Sequence, residues 1–275
     1  MIQSPLIDIE TLQELSSNHN LILLDSTIDK VTEKIDNDNI ALIPNSVFLD
    51  IEKDFSDPNS GLPHTLIDET AFTERAQQLG INQDSILVIY DRWGIYSSPR
   101  AWWMFRYMGH QQTYVLDGGI SAWQEAGLPT TNRHILPSKQ GNFLAAVQPE
   151  WIVDKKMILN ALDTKAMTIV DARGAGRFSG STPEPRNGVR SGHIPTSSNL
   201  PFDLVLDGAY LKDIESLKAL FQTHLSANKR NVFSCGSGIT ASILALAAFQ
   251  IGVTNISVYD GSWAEWGSDP QLPVA

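Results

Sequence analysis

The chain is expected to fold as an α/β protein of two tandem homologous domains, each a mostly parallel sheet flanked by helices. Three observations lead there. Short apolar runs that end in an acid, such as Leu21-Ile22-Leu23-Leu24-Asp25 and Ile86-Leu87-Val88-Ile89-Tyr90-Asp91, alternate with stretches of helical composition. That alternation implies buried parallel strands joined by crossover helices. The pattern then repeats, with its matches in one order. Ile22–Asp25 lies under Thr168–Asp171 at an offset of 146, Tyr90–Ser98 under Ser234–Ser242 at 144, and Leu116–Trp123 under Tyr259–Trp266 at 143. Between the copies, residues 135–149 are Pro-rich and polar and read as a linker. A first domain over 1–134 and a second over 150–275 follow.

In chain order, Asp8 precedes Ile9, Leu12 and Leu15 at helical spacing, and Leu21–Asp25 is the first buried strand. Residues 53–64 are loop by composition. Asp68 is placed to cap a helix running to about Leu79, where Gly80 stops it. Ser85–Asp91 is a strand, Gly94 lies in the turn after it, and a helix runs from Ser98-Pro99 to Met108 before Gly109. Tyr114–Gly119 is a strand and turn, followed by a short helix from Ile120 to Ala126. In the second copy Asn231–Ser234 is a strand and Ala241–Phe249 an apolar segment of good helix formers. Ile43-Pro44 matches Ile194-Pro195 at an offset of 151, the slip marking an insertion in the second copy.

Composition excludes several function classes. A net charge of −11 argues against general nucleic-acid binding, which needs a basic footprint. Through residue 135 there are 8 basic and 19 acidic residues, against 12 of each thereafter, so the negative charge lies in the first copy. Attraction of a small anion to the neutral half and a plain solvated acidic surface explain this equally. No run is long enough to span a membrane, and the first residues lack a secretory or transit pattern. One cysteine rules out an internal disulfide framework and a multi-cysteine zinc site and suits a reducing compartment. A cytoplasmic protein with no membrane or nucleic-acid partner, and with no cofactor, is expected.

That one cysteine is Cys235, in Ser234-Cys235-Gly236-Ser237-Gly238-Ile239-Thr240-Ala241, between a strand end and a helix start. Unpaired amides and the positive end of a helix dipole converge at such a turn and stabilise an anion, a thiolate included. Cys235 is therefore a candidate nucleophile, against the plainer reading of a small buried hydrophobe. In the first copy Asp91 takes its place, so only the second copy can do thiol chemistry. Between Arg173 and Arg190 lie four arginines and a single acid, Glu184. The run Arg177–Arg186 has Gly and Pro and no amphipathic period, so it is expected to be loop. Arginine forks there suit clamping a small organic acid, against the plainer reading of a solvated basic loop. A cysteine phosphatase needs an arginine six positions after the nucleophile, and that position is Ala241. A protease or amidase needs a base, and His193 and His64 are the available choices, the former reading better as part of a structural turn. No ligand spacing for a metal is present.

The duplication, Gly192-His193-Ile194-Pro195, Ser98-Pro99-Arg100-Ala101-Trp102-Trp103, Leu116-Asp117-Gly118-Gly119 and the loop Cys235–Thr240 together resemble the two-domain rhodanese sulfurtransferases, over nearly the whole chain. Thiosulfate-using members carry basic residues just after the cysteine, whereas Gly236 and Ser237 resemble the mercaptopyruvate-using branch. The resemblance implies attack of Cys235 on the sulfur of a small anionic donor, a persulfide, and transfer to a thiol, a thioredoxin-like protein or cyanide. It implies a cradle of amides from Gly236, Gly238, Ile239 and Thr240, and donor binding by Arg177 and Arg186. It also implies a Ser-His-acid arrangement, with Ser237 as the serine, His64 as the histidine and Glu52, or less well Asp50, as the acid. A thiosulfate:cyanide sulfurtransferase and a non-catalytic persulfide carrier are the alternatives.

Overall fold

A computed structural model describes residues 4–38 and 40–275. Contacts divide the chain into two compact units, one of Met1–Asp57, Leu66–Gln148 and Gly208–Leu211, the other of Pro58–Thr65, Pro149–Asp207 and Lys212–Ala275. Residues 135–148 run along the first unit. Gly141 N–H donates to Gln77 O (2.8 Å), Phe143 N–H to Ile81 O (3.1 Å) and Ala146 N–H to Met108 O (2.9 Å).

The first unit holds strands β1 (Leu6–Ile7), β2 (Leu21–Asp25), β3 (Val47–Phe48), β4 (Ile86–Tyr90) and β5 (Thr113–Leu116). Its helices are α1 (Ile9–Leu15), α2 (Glu69–Gln78), α3 (Ser98–Tyr107) and α4 (Gly119–Glu125). The strands lie in the order β1-β5-β4-β2-β3, every pair parallel. Their starts and stops follow local chemistry. Asp8 and Asp68 accept from the amides of Thr11 and Ala71 at the starts of α1 and α2, Pro99 sits in the first turn of α3, and Gly80 and Gly109 follow helix ends at φ 77° and 88°. Ile7, Leu12, Ile43, Val88, Tyr90, Tyr114, Leu116 and Ile120 form one core cluster on this sheet.

The second unit repeats the plan. Strands β6 (Ile152–Val153), β7 (Met167–Asp171), β8 (Ser198–Asn199), β9 (Arg230–Ser234) and β10 (Ile256–Tyr259) form a parallel sheet in the order β6-β10-β9-β7-β8. Helices α5 (Lys155–Thr164), α6 (Ala175–Phe178), α7 (Ile214–Phe221), α8 (Ile239–Gln250) and α9 (Ser262–Trp266) connect and flank it. Helix α8 is apolar all round and buried at Ile239 and from Ala241 to Ala248, the mark of a core helix. Val153, Ile169, Val232, Tyr259, Trp263 and Trp266 belong to the core cluster of this sheet. The loop expected over Arg177–Arg186 begins two residues late, because Arg177 and Phe178 close the short helix α6. Four residues are too few to show a helical period.

Candidate active site

In the second sheet the chain steps from β7 outward to β8, then returns to β9 and continues to β10 on the other side. The strand order thus reverses direction between β7 and β9, and in open α/β sheets the carboxyl ends of strands at such a switch point are where ligands bind. Cys235 follows β9 directly and is buried, at 2% exposure. Gly238, at φ 85°, turns the chain into α8 and points its N–H at Cys235 Sγ, 3.1 Å away. The loop is tied down by α9. Cys235 O accepts from Trp263 N–H (2.9 Å), Gly236 O from Ala264 N–H (3.0 Å), and Cys235 N–H donates to Ser262 Oγ (3.2 Å). Beneath it, burial and the neighbouring Glu265 push the Tyr259 hydroxyl up, and it donates to Glu265 Oε2 (2.7 Å).

The first copy shows what this turn does to an anion. Asp91 Oδ2 accepts from the N–H groups of Tyr96 (2.9 Å), Ser97 (2.9 Å) and Ser98 (2.8 Å) and from Ser98 Oγ (2.7 Å). The corresponding amides of the second copy are those of Thr240, Ala241 and Ser242, and among the described residues none of these three donates to a protein acceptor outside its helix. The turn holds an anion in the first copy, the chain's own carboxylate, and in the second copy the same turn stands beside a thiol. Ile239 is buried, so what it can offer a ligand is its amide.

The four arginines after β7 separate into two pairs. Arg173 is buried, forks onto Asp171 at 2.7–3.1 Å, reaches Glu184 Oε1 (2.7 Å) and Gly192 O (2.9 Å), and lies over the Trp263 ring. Arg190 spends its donors on the carbonyls of Trp266, Gly267, Asp269 and Leu272. Both hold the fold. Arg177 and Arg186 instead reach the cysteine loop: a β-carbon built on Gly236 would stand 3.1 Å from Arg177 Nη2 and 3.6 Å from Arg186 Nη1. Arg177 is oriented by Glu184, which takes both its Nε and Nη2. Glu184 thereby joins two arginines, a role signalled in the sequence only by its being the one acid in that run.

His64, at φ 60°, belongs to the segment 58–65 that is grouped with the second unit, and its Nδ1 lies 2.9 Å from Ser237 Oγ. Glu52 lies in the first unit, exposed on the turn after β3, its N–H on Asp50 Oδ1 (3.2 Å). His193 is a turn residue: its ring stacks on Phe178 at 3.8 Å and its Nδ1 bonds to Phe178 O (2.9 Å). The residue that the sequence reading overlooked is Ser262, whose signal was its alignment with Gly119.

The protein-family model described as the rhodanese-like domain matches residues 6–126 and again 154–269. The chain belongs to the rhodanese family. Among its rhodanese relatives, the 3-mercaptopyruvate sulfurtransferase of Escherichia coli K12 is 41% identical over 234 residues, covering 84% of this chain and 82% of the relative. Thiosulfate/3-mercaptopyruvate sulfurtransferase 1, mitochondrial, of Arabidopsis thaliana is 34% identical over 295 residues, covering 98% and 78%. The crystal structure of the Tum1 protein from Saccharomyces cerevisiae superposes with a TM-score of 0.89 at 31% identity, over 100% of this chain and 99% of that one. The chain is thus a rhodanese-type sulfurtransferase. Among the described residues, no helix is long and apolar enough to cross a membrane.

Proposed function

We propose that this rhodanese is a 3-mercaptopyruvate sulfurtransferase, with Cys235 as nucleophile. The observation that carries the reading is the pair of guanidinium groups, Arg177 and Arg186, against Gly236. Two cations stand one residue from the thiol, and the loop itself contributes no basic side chain. That arrangement suits a donor whose anionic group is a carboxylate a few bonds from its sulfur.

In the first half-reaction the Cys235 thiolate attacks the donor sulfur. An S–S bond forms and the C–S bond breaks, its electron pair passing to the pyruvate enolate. Arg177 and Arg186 hold the carboxylate and the keto oxygen, where the enolate charge develops. The enolate takes up a proton at carbon and leaves as pyruvate. Ser237 and His64 form the proton-handling pair beside it, and the hydroxyl of Thr240 is a further donor at the cradle. The amides of Gly236, Gly238, Ile239 and Thr240 hold the persulfide, whose outer sulfur is anionic. In the second half-reaction an acceptor thiolate or cyanide attacks that sulfur and releases the Cys235 thiolate. A small thiol or a thioredoxin-like protein in the cytoplasm is the proposed acceptor, a compartment that the single cysteine suits.

The test is mass spectrometry of the protein mixed with 3-mercaptopyruvate in the absence of an acceptor. One added sulfur on Cys235 with one pyruvate released per chain is expected. Sulfur uptake without pyruvate would favour a carrier. Faster turnover with thiosulfate, a donor included in the name of the Arabidopsis relative, would replace the assignment with a thiosulfate sulfurtransferase.

A further inference from the structure

Ser262 has its backbone at φ 49°, a left-handed conformation that side-chain-bearing residues avoid, and it is wholly buried. Its counterpart in the first copy, at the offset of 143, is Gly119 at φ 52°. The backbone conformation is therefore common to both copies, and glycine is the residue that meets it without strain. In the first copy a side chain is also excluded, because a β-carbon on Gly119 would stand 2.4 Å from Asp91 O. The second copy makes room for one and bears the strain.

What the serine adds is a hydroxyl under the candidate nucleophile. Ser262 Oγ donates to Tyr259 O (2.8 Å) and accepts from Cys235 N–H (3.2 Å). The next residue, Trp263, donates its N–H to Cys235 O (2.9 Å). Both polar groups of the Cys235 backbone are thus fixed from the start of α9, and the one side-chain bond among them comes from a strained residue. Strain kept at a buried position beside a reacting group points to a positioning role.

We propose that Ser262 is a positioning residue that sets the Cys235 backbone so that Sγ faces the amides of the cradle. The copy without a thiol has no use for that hydroxyl and keeps glycine. This rests on the reading of Cys235 as the nucleophile.

The test uses Ser262→Gly and Ser262→Ala. Each is compared with the parent in thermal unfolding, in the rate of Cys235 alkylation by iodoacetamide, and in kcat and KM with 3-mercaptopyruvate. S262G loses a hydrogen bond but sheds the strain, so it should unfold close to the parent. Its alkylation should slow several-fold, and kcat should fall about five- to tenfold, the scale of one hydrogen bond, with KM little changed. S262A, which keeps the strain, should show the same kinetic loss and unfold at a lower temperature. Parent-like alkylation and kcat in S262G would overturn the assignment. So would kinetic losses that follow lost stability in both variants. Alkylation needs no sulfur donor. Slowed alkylation of S262G beside a parent that takes no sulfur from mercaptopyruvate would keep the role of Ser262 and remove the donor assignment instead.

Discussion

Arg186 shows how little of a residue's role its identity reveals. It is one of four arginines within 18 positions, two of which are absorbed by buried carboxylates or backbone carbonyls, while Arg186 Nη1 comes within 3.6 Å of a β-carbon position at Gly236. Any side chain at 236 would enter the space between Arg186 and Arg177, so glycine there and the two arginines are one design. Arg186 is only half-buried, on a loop outside the core clusters. Arg186→Ala is therefore expected to leave the unfolding temperature nearly unchanged. Loss of one charge-assisted contact to the donor should raise KM for 3-mercaptopyruvate about 10- to 100-fold. Steady-state kinetics with a melting curve on the same sample decides it, and an unchanged KM would remove the clamp.

At the scale of elements, the strand–turn–helix unit is used twice for different ends. In the first copy the turn after β4 closes on its own carboxylate: Asp91 takes three amides and a hydroxyl at the start of α3 through Oδ2, and the Trp93 N–H through Oδ1 (2.9 Å). The helix start is satisfied from within, so this copy has a scaffold turn. Asp91→Ala would leave several buried amides without acceptors, costing roughly 3 kcal/mol or more. A fall of about 10 °C in the unfolding midpoint of the first unit is expected by calorimetry. In the second copy the start of α8 lacks such a carboxylate, and that is where the thiol stands. Sequence alignment of the copies revealed the exchange of Asp for Cys. It did not reveal the hydrogen bonds that explain it, because those depend on where the amides point.

For the whole molecule, acid lability is written into a buried imidazole of the first unit. His110 is 2% exposed, between α3 and β5, with Nδ1 3.0 Å from Thr113 Oγ1. Burial pushes its pKa down from 6.5 to about 4. Above pH about 6.5 the ring is neutral in both folded and unfolded chains, and its fit stabilises the fold. As pH falls through the window toward 4, the unfolded chain binds a proton that the folded unit refuses, so stability is lost, by up to ~3 kcal/mol. His110→Gln should flatten the dependence of the urea midpoint between pH 6.5 and 4, and an equally steep loss in the variant would assign the lability elsewhere.

The sequence alone determined the duplication, the α/β class, the parallel strands and the one thiol between a strand and a helix. Apolar period, capping residues and repeat offsets are local or comparative signals, and the residues that produce them are read without knowing what they touch. The tertiary structure decided the rest. It placed His64, 173 positions away, 2.9 Å from Ser237. It separated Arg177 and Arg186 from Arg173 and Arg190, which look alike in a loop with no period. It also showed that Ser262 holds the Cys235 amide in a conformation that its own residue type resists. Those distinctions rest on contacts between distant segments and on the sign of a backbone angle, and neither is expressed by residue identity.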